Sequence, residues 1–346
     1  MKHPQPGRAA RRAPNLALAA RRAFFLAMAG AIAGLIALGA PSAAHAQSYP
    51  NKIVRMVVPY AAGGGVDTVG RAIAQQLTES MGQTVLIDNR PGANSVIGTE
   101  QVAKSPADGY TLLVTLVSHY AMPFLSRNVR YDPVKDFTPV TIIGKAPQAL
   151  FVNTGTGIVS VKELIAYVKR NPGKVSYATS GAGTSQHLGG ELLNHAAGID
   201  MTHVPYKGGA PALTDVVGGQ VPVGILIYSN IKQHVATGKV RALAVIESTR
   251  AKAAPDVPTV AEAGVAGFAV PDTWIGIMGP AGLPREVVGR LNADILKAAS
   301  APDVRSRLEG AGFEVSVLPA EEFAGQGDRI TAMYRSITTT AGIKPE

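Results

Sequence analysis

The chain has 346 residues, no cysteine and a formal charge of +9. Six basic residues (Lys2, Arg8, Arg11, Arg12, Arg21, Arg22) and no acid precede Gln47, so the remainder carries only +3. That modest charge, without a Lys/Arg cluster after the leader, argues against a nucleic-acid partner. The missing cysteines exclude disulfides, a lipidated cysteine and thiol chemistry.

Residues 1–46 read as an export signal. A basic start is followed by an uncharged run over 23–40 and by Ala44-His45-Ala46 before Gln47, the pattern of a cleavage site. Arg21-Arg22 ahead of Phe24-Phe25 also resembles a twin-arginine signal, which leaves both export routes open. The run is long enough for an uncleaved membrane anchor, but its alanine and glycine content and Pro41 oppose that reading. Cleavage would leave about 300 residues, enough for two cores.

After the leader, short apolar runs alternate with helical patterns. "KIVRMVVP" is nearly all apolar, as a strand buried on both faces requires. Val69, Ile73 and Leu77 then recur at helical spacing. "TVLIDNRPG" and "YTLLVTLVS" read as the next strands, with a helix over about 97–104 between them. A second series begins near Leu150. Ser160 and Glu163 form a capping box for a helix running to "NPG" at 171–173. "KVSYATSG" reads as a strand and 184–197 as a helix with Leu188, Leu192 and Ala196 inward. "THVPYKGG", "VPVGILI" and "VRALAVI" read as three more strands, between helices that end at Gly218 and Gly238. Thr259 and Glu262 should cap a short helix stopped by Gly264. The tail reads as mostly helical, with Pro284 at a helix start and Val288, Leu291 and Ile295 as an apolar stripe. Such alternation implies an α/β fold with mainly parallel sheets.

Two stretches repeat one plan of strand, glycine turn and helix. Gly63, Gly64 and Gly65 lie in the first turn, Gly181 and Gly183 in the second. A turn of this kind directs backbone N–H groups and the positive end of a helix dipole at an anion. Glycine permits close approach. The competing reading is turn chemistry alone. "GAGTSQ" starts like a dinucleotide fingerprint, but Gln186 stands where the third glycine belongs, and neither the phosphate-loop pattern nor G-x-S-x-G occurs. His187, Glu191 and His195 share a helix face, either as metal ligands or as the polar side of an amphipathic helix; the second reading is preferred, and no metal or cofactor is expected. Asp67 either anchors the first turn or contacts a ligand. Ser118, at a strand end, faces the cleft or is simply solvated; Lys207 reads as a surface lysine, and Trp274 as a core residue.

Six segments occur in order: "YPNKIVRMVVPYAAGGGVDTVGRAIAQQL", "VLIDNRPGANSVIGTEQVAKSPADGYTLL", "SGAGTSQHLGGELLNHAAGIDMTHVPYKGGAPALTDVVGGQV", "GKVRALAV", "PDVPTVAEAG" and "TWIGIMGPAGLP". Together they resemble the substrate-binding receptors of tripartite tricarboxylate transporters, the Bug family, over nearly the whole chain after the leader. The resemblance implies a periplasmic, type II two-domain binding protein that closes like a flytrap and is not an enzyme. Domain 1 would combine 47–149 with 273–346, and domain 2 would be 150–272. The implied ligand is a small carboxylate held in the cleft by the two turns. The binding positions carried over are Ala62, Gly63, Gly64, Asp67 and Ser118 from domain 1, and Ser180, Gly181, Gly183, Thr184 and His187 from domain 2. The family usually has an aspartate where Leu226 stands here, which suggests a ligand without a cationic amine. The implied partners are a large and a small membrane subunit of the transporter, with the receptor itself a monomer. A receptor that reports to a membrane sensor is the alternative function; an exported hydrolase or metal enzyme lacks an assembled site.

Overall fold

Eleven strands among the described residues sort into two sheets. The computed structural model describes Met28 and residues 49–345, so the leader and its cleavage site lie outside the described residues. Residues 49–345 fall within one compact unit. The first sheet has the order β11-β4-β10-β3-β1-β2 and the second β7-β6-β8-β5-β9. The strands are β1 (Val54–Val58), β2 (Val85–Asn89), β3 (Thr111–Leu116), β4 (Phe137–Lys145), β5 (Gln148–Asn153), β6 (Ser176–Thr179), β7 (Thr202–Pro205), β8 (Val223–Ile227), β9 (Val240–Val245), β10 (Trp274–Pro280) and β11 (Glu314–Leu318). Helices α1 (Gly65–Met81), α2 (Val96–Ala103), α3 (Met122–Leu125), α4 (Val161–Arg170), α5 (Ser185–Ala197), α6 (Gly209–Val217), α7 (Tyr228–Ala236), α8 (Arg285–Ala299), α9 (Pro302–Gly310), α10 (Ala320–Ala324) and α11 (Gly327–Thr340) connect them.

The fold is α/β, and its sheets are mixed. β1 pairs in parallel with β2 and β3, and β6 with β7 and β8. β10 runs antiparallel to β3 and β4, and β5 antiparallel to β8 and β9. Mainly parallel pairing thus holds only for the half of each sheet that carries a glycine turn. The antiparallel pairs come from β5 in the second sheet and, in the first, from β10 and β11, which lie in a tail that reads as helical. β10 is buried at every position, so it has no alternation to reveal it, and its two glycines mask its strand character. The capping box at Thr259 and Glu262 forms as expected, with Glu262 Oε2 accepting from Thr259 N at 2.8 Å; the chain there makes turns and no helix. Helix α5 buries Leu188 and Leu193, whereas Leu192 is half-buried and Ala196 exposed.

In β1 the side chains divide by parity: Val54, Met56 and Val58 join Val69, Ile73 and Leu77 of α1 in one core, while Val57 faces another with Val96 and Val102 of α2. Trp274 is fully buried, edge-on to Tyr120 and Phe323. It is a core residue.

The chain passes from the first sheet to the second at 146–147 and returns at about 271–273, and these passages lie side by side. Ala146 N donates to Thr273 O at 2.8 Å, Lys145 pairs with Asp272 at 2.9 Å, and Gln148 Nε2 donates to Thr273 Oγ1. Glu247 is 4% exposed and accepts the Gln148 N–H with both carboxyl oxygens, at 3.0 and 3.1 Å. Burial drives its carboxyl up to about 8; backbone N–H groups and Lys145 pull the other way without overcoming burial, and Asp272 adds to the rise. A carboxyl held above its ordinary value of 4.5 contributes its full stabilisation below that value and loses it as pH rises through about 8. Glu247→Gln keeps a neutral acceptor at this point. Its melting temperature relative to wild type should therefore rise by several degrees between about pH 5 and about pH 9; equal pH slopes for the two proteins would contradict this account.

Candidate functional site

The first glycine turn is locked by Asp67, which is 2% exposed on the first turn of α1. Its Oδ2 accepts the Gly63 N–H at 2.8 Å and Arg71 Nε at 3.0 Å; its Oδ1 accepts Asn89 Nδ2 at 2.9 Å. Asn89 Nδ2 also reaches Tyr60 O at 3.2 Å, and Arg71 returns to Asn89 Oδ1 at 2.9 Å. Burial alone would raise the Asp67 carboxyl, but hydrogen bonds from Arg71, Gly63 and Asn89 outweigh it and hold it below its ordinary value. Of the two roles open to Asp67, this geometry is the anchor. Gly63 takes φ +82°, a conformation that suits a residue without Cβ. Ala62 and Gly64 flank it, and α1 starts at Gly65 with its first N–H groups lacking intrahelical acceptors.

The second turn is built by different side chains to the same end. Gln186 Oε1 accepts both the N–H and the hydroxyl of Ser180 at 2.7 Å. Thr184 caps α5: its hydroxyl donates to Gly181 O at 2.8 Å and accepts from His187 N at 3.3 Å. Gly181 N donates to Thr179 Oγ1 and Gly183 N to His187 Nδ1, each at 3.2 Å. The His187 ring thus serves as an acceptor within the turn. It stacks on His203 with ring centroids 4.1 Å apart, and burial followed by His187 pushes His203 down to about 4. The N–H groups of Gly63, Gly181 and Gly183 therefore shape the turns, and the outward donors are at the starts of α1 and α5. Glu191 is engaged by the Tyr177 hydroxyl at 2.5 Å, and among the described residues no three His, Cys, Asp or Glu side chains are grouped to hold a metal ion.

Loops of both sheets meet around these turns. A Cβ on Gly183 would stand 3.4 Å from Leu125 and 3.8 Å from Asn94 Nδ2 of the first-sheet side. Ala93, Asn94 and Ser95 all take positive φ, at 45°, 52° and 79°, a strained conformation for three successive non-glycine residues. On the other flank Gly65 lies against Ala311 and Phe313, and Gly312 between them meets Ser229 and Asn230. Asn230 in turn faces Gly209, the start of α6 after a third glycine turn. Ser118 sits just beyond β3, in a turn over Val117–Tyr120 instead of at the strand end. The third turn and Asn94 escape sequence reasoning; "YKGG" and "PGANS" are their only traces.

A family model described as "Tripartite tricarboxylate transporter family receptor" matches residues 69–326. The chain belongs to that family. It is 36% identical over 289 residues to protein BugT of Bordetella pertussis, covering 83% of this chain and 88% of BugT, which places it among the Bug receptors. Among solved structures, R. palustris Rpa4515 with adipate is 34% identical at a TM-score of 0.74, over 86% of this chain and all of that one. MatC from Rhodopseudomonas palustris with bound malate is 32% identical at a TM-score of 0.70, over 84% and 99%. The fold is that of periplasmic binding proteins, and no helix among the described residues is long and apolar enough to cross a membrane.

Removing the Asp67 carboxylate frees the first turn while leaving every strand intact. Asp67→Ala should lower stability at neutral pH by about 2–3 kcal/mol, the scale of a buried charge-assisted network. Because the carboxyl is held low, the deficit should shrink as pH falls below its ordinary value of 3.8. Denaturant titrations at neutral and acid pH measure both; an undiminished gap at acid pH would rule out the carboxylate as its source.

Proposed function

We propose that the protein is a periplasmic solute receptor, not an enzyme, which captures a small carboxylate between two lobes and delivers it to the large and small membrane subunits of a tripartite transporter. The lobes are 47–149 with 273–346, and 150–272. The observation that carries the reading is a strand–glycine turn–helix unit in each sheet, with the second turn facing Leu125 and Asn94 of the first-sheet side. Each presents the positive end of a helix dipole and its unpaired N–H groups to one anion. Ala62, Gly63, Gly64 and Asp67, with Ser118, form one jaw. Ser180, Gly181, Gly183, Thr184 and His187 form the other. The carboxylates in the adipate- and malate-bound relatives support the same ligand class.

Leu226 narrows that class. It is fully buried beneath the third glycine turn, with Cδ2 3.8 Å from the position of a Cβ on Gly209. No carboxylate stands at this position to pair with an ammonium group, which disfavours amino acids as ligands.

Thermal unfolding of protein stripped of ligand by unfolding and refolding tests both statements. A cognate acid at 100 times its dissociation constant should raise stability by about 2.7 kcal/mol and the melting temperature by roughly 5 °C. Adipate and malate should be active to different degrees, and sugars inactive. Aspartate and glutamate should give no comparable shift; a large one would overturn the role given to Leu226, and silence from every carboxylate would overturn the receptor reading.

A further inference from the structure

A short segment, residues 311–314, joins α9 to β11 and touches elements of both sheets. On the first-sheet side it is anchored beside α1. Phe313 is buried in the apolar core that also holds Val66 and Val69. Ala311 and Phe313 lie 3.6 and 3.9 Å from the position of a Cβ on Gly65, the first residue of α1. On the second-sheet side the segment meets α7 and the chain beyond β9. Ser229 Oγ donates to Gly312 O, and Ala253 N to Glu314 Oε1, each at 3.2 Å. Asn230, in the same first turn of α7, has its Nδ2 3.1 Å from the position of a Cβ on Gly209, the first residue of α6.

Gly312 fits this contact as no other residue would. It takes φ +92°, and a Cβ there would stand 2.8 Å from Ser229 Oγ, 3.2 Å from Ile227 and 3.3 Å from Asn230 Oδ1. A side chain would push the segment off α7. The hydrogen bonds of the contact are part-buried or exposed, unlike those Glu247 makes inside the crossing. A groove of about 610 Å³ opens beside the segment, lined by Ser229 and Ala253 from one side and by Arg305 and Glu309 from the other. Water can therefore take over both bonds when the two sides part.

We propose that residues 311–314 are a closing strap, which engages α7 when the two lobes come together over the acid and sets how fast the acid leaves. The inference rests on the receptor reading and adds the element that holds the lobes shut. The strap is packed on the start of α1, and Asn230 beside it faces the start of α6. One contact thus ties the helix of the first jaw to the opposite lobe, and an acid seated on α1 and the engaged strap favour each other. A contact made after capture takes no part in the encounter, so it acts on dissociation and not on association.

Stopped-flow mixing with adipate and with malate, followed by protein fluorescence, separates the two rates. Ser229→Ala should raise the dissociation rate about fivefold, the scale of one hydrogen bond, and leave association within about twofold of wild type. Gly312→Ala should raise dissociation about tenfold or more, since a forced overlap costs more than a lost bond. Gly264→Ala controls for backbone strain, because Gly264 has φ +108° and nothing within 4 Å of a Cβ; its rates should stay those of wild type. Combining Ser229→Ala with Gly312→Ala should give less than the product of the two effects, as removal of Oγ relieves the closest overlap. A wild-type dissociation rate in Ser229→Ala, slower association in place of faster dissociation, or an equal effect of Gly264→Ala would overturn the strap and leave the receptor reading standing. Binding of neither acid, nor of any other small carboxylate, by wild type would overturn both.

Discussion

The site depends on one buried carboxylate that is kept away from the ligand. Asp67 stands where the positive end of α1 would otherwise attract any anion, and its oxygens are fully engaged by Gly63, Arg71 and Asn89. Those contacts tie the turn to its own helix and to the end of β2. A glycine turn left to itself has more conformational freedom than any other sequence, and an anion that had to order it would lose affinity to that ordering. Asp67 does the ordering in advance. The second turn reaches the same rigidity without a charge, through Gln186 on Ser180 and Thr184 on Gly181.

Rigid jaws are useful only if the passages between the sheets are defined as well. Here the two strands of chain that cross are held to each other by Ala146 on Thr273, by Lys145 on Asp272 and by Gln148 on Glu247. Glu247 is the least expected of these. Burial of nearly the whole side chain favours the neutral acid, which tolerates a dry environment far better than a carboxylate does, and outweighs the backbone N–H shared between its oxygens. An ion pair, Lys145 with Asp272, lies beside it at the surface, where water lowers the desolvation penalty. The crossing thus places its charged groups outward and its uncharged acid inward.

Much of this was legible in the residues. Except for β4 and β5, the strand and helix series through residue 245 follows from apolar runs and periodicity, because parallel strands flanked by helices bury both faces and their helices only one. Both glycine turns, the capping box at Ser160, and the family resemblance came from local patterns. β10 and β11 did not, since a short antiparallel strand inserted beside a distant one is specified by partners more than 100 residues away. Within the site, Asp67 was identifiable but its role was not: a cap, an anchor and a ligand contact look alike until Asn89 and Arg71 are seen around it.

What the site omits is as informative as what it holds. Its anion elements are helix starts and backbone N–H groups; of its histidines, His203 is pushed down chiefly by burial and His187 accepts the Gly183 N–H. Leu226 removes one source of negative charge. In the proposed receptor a ligand's single carboxylate would be matched by dipoles alone. Dipoles attract less strongly at long range than a lysine or arginine, but their field is fixed by the backbone and does not need to be ordered on binding. Such a site distinguishes ligands by what lies beyond the carboxylate, because the carboxylate itself is served identically in every acid.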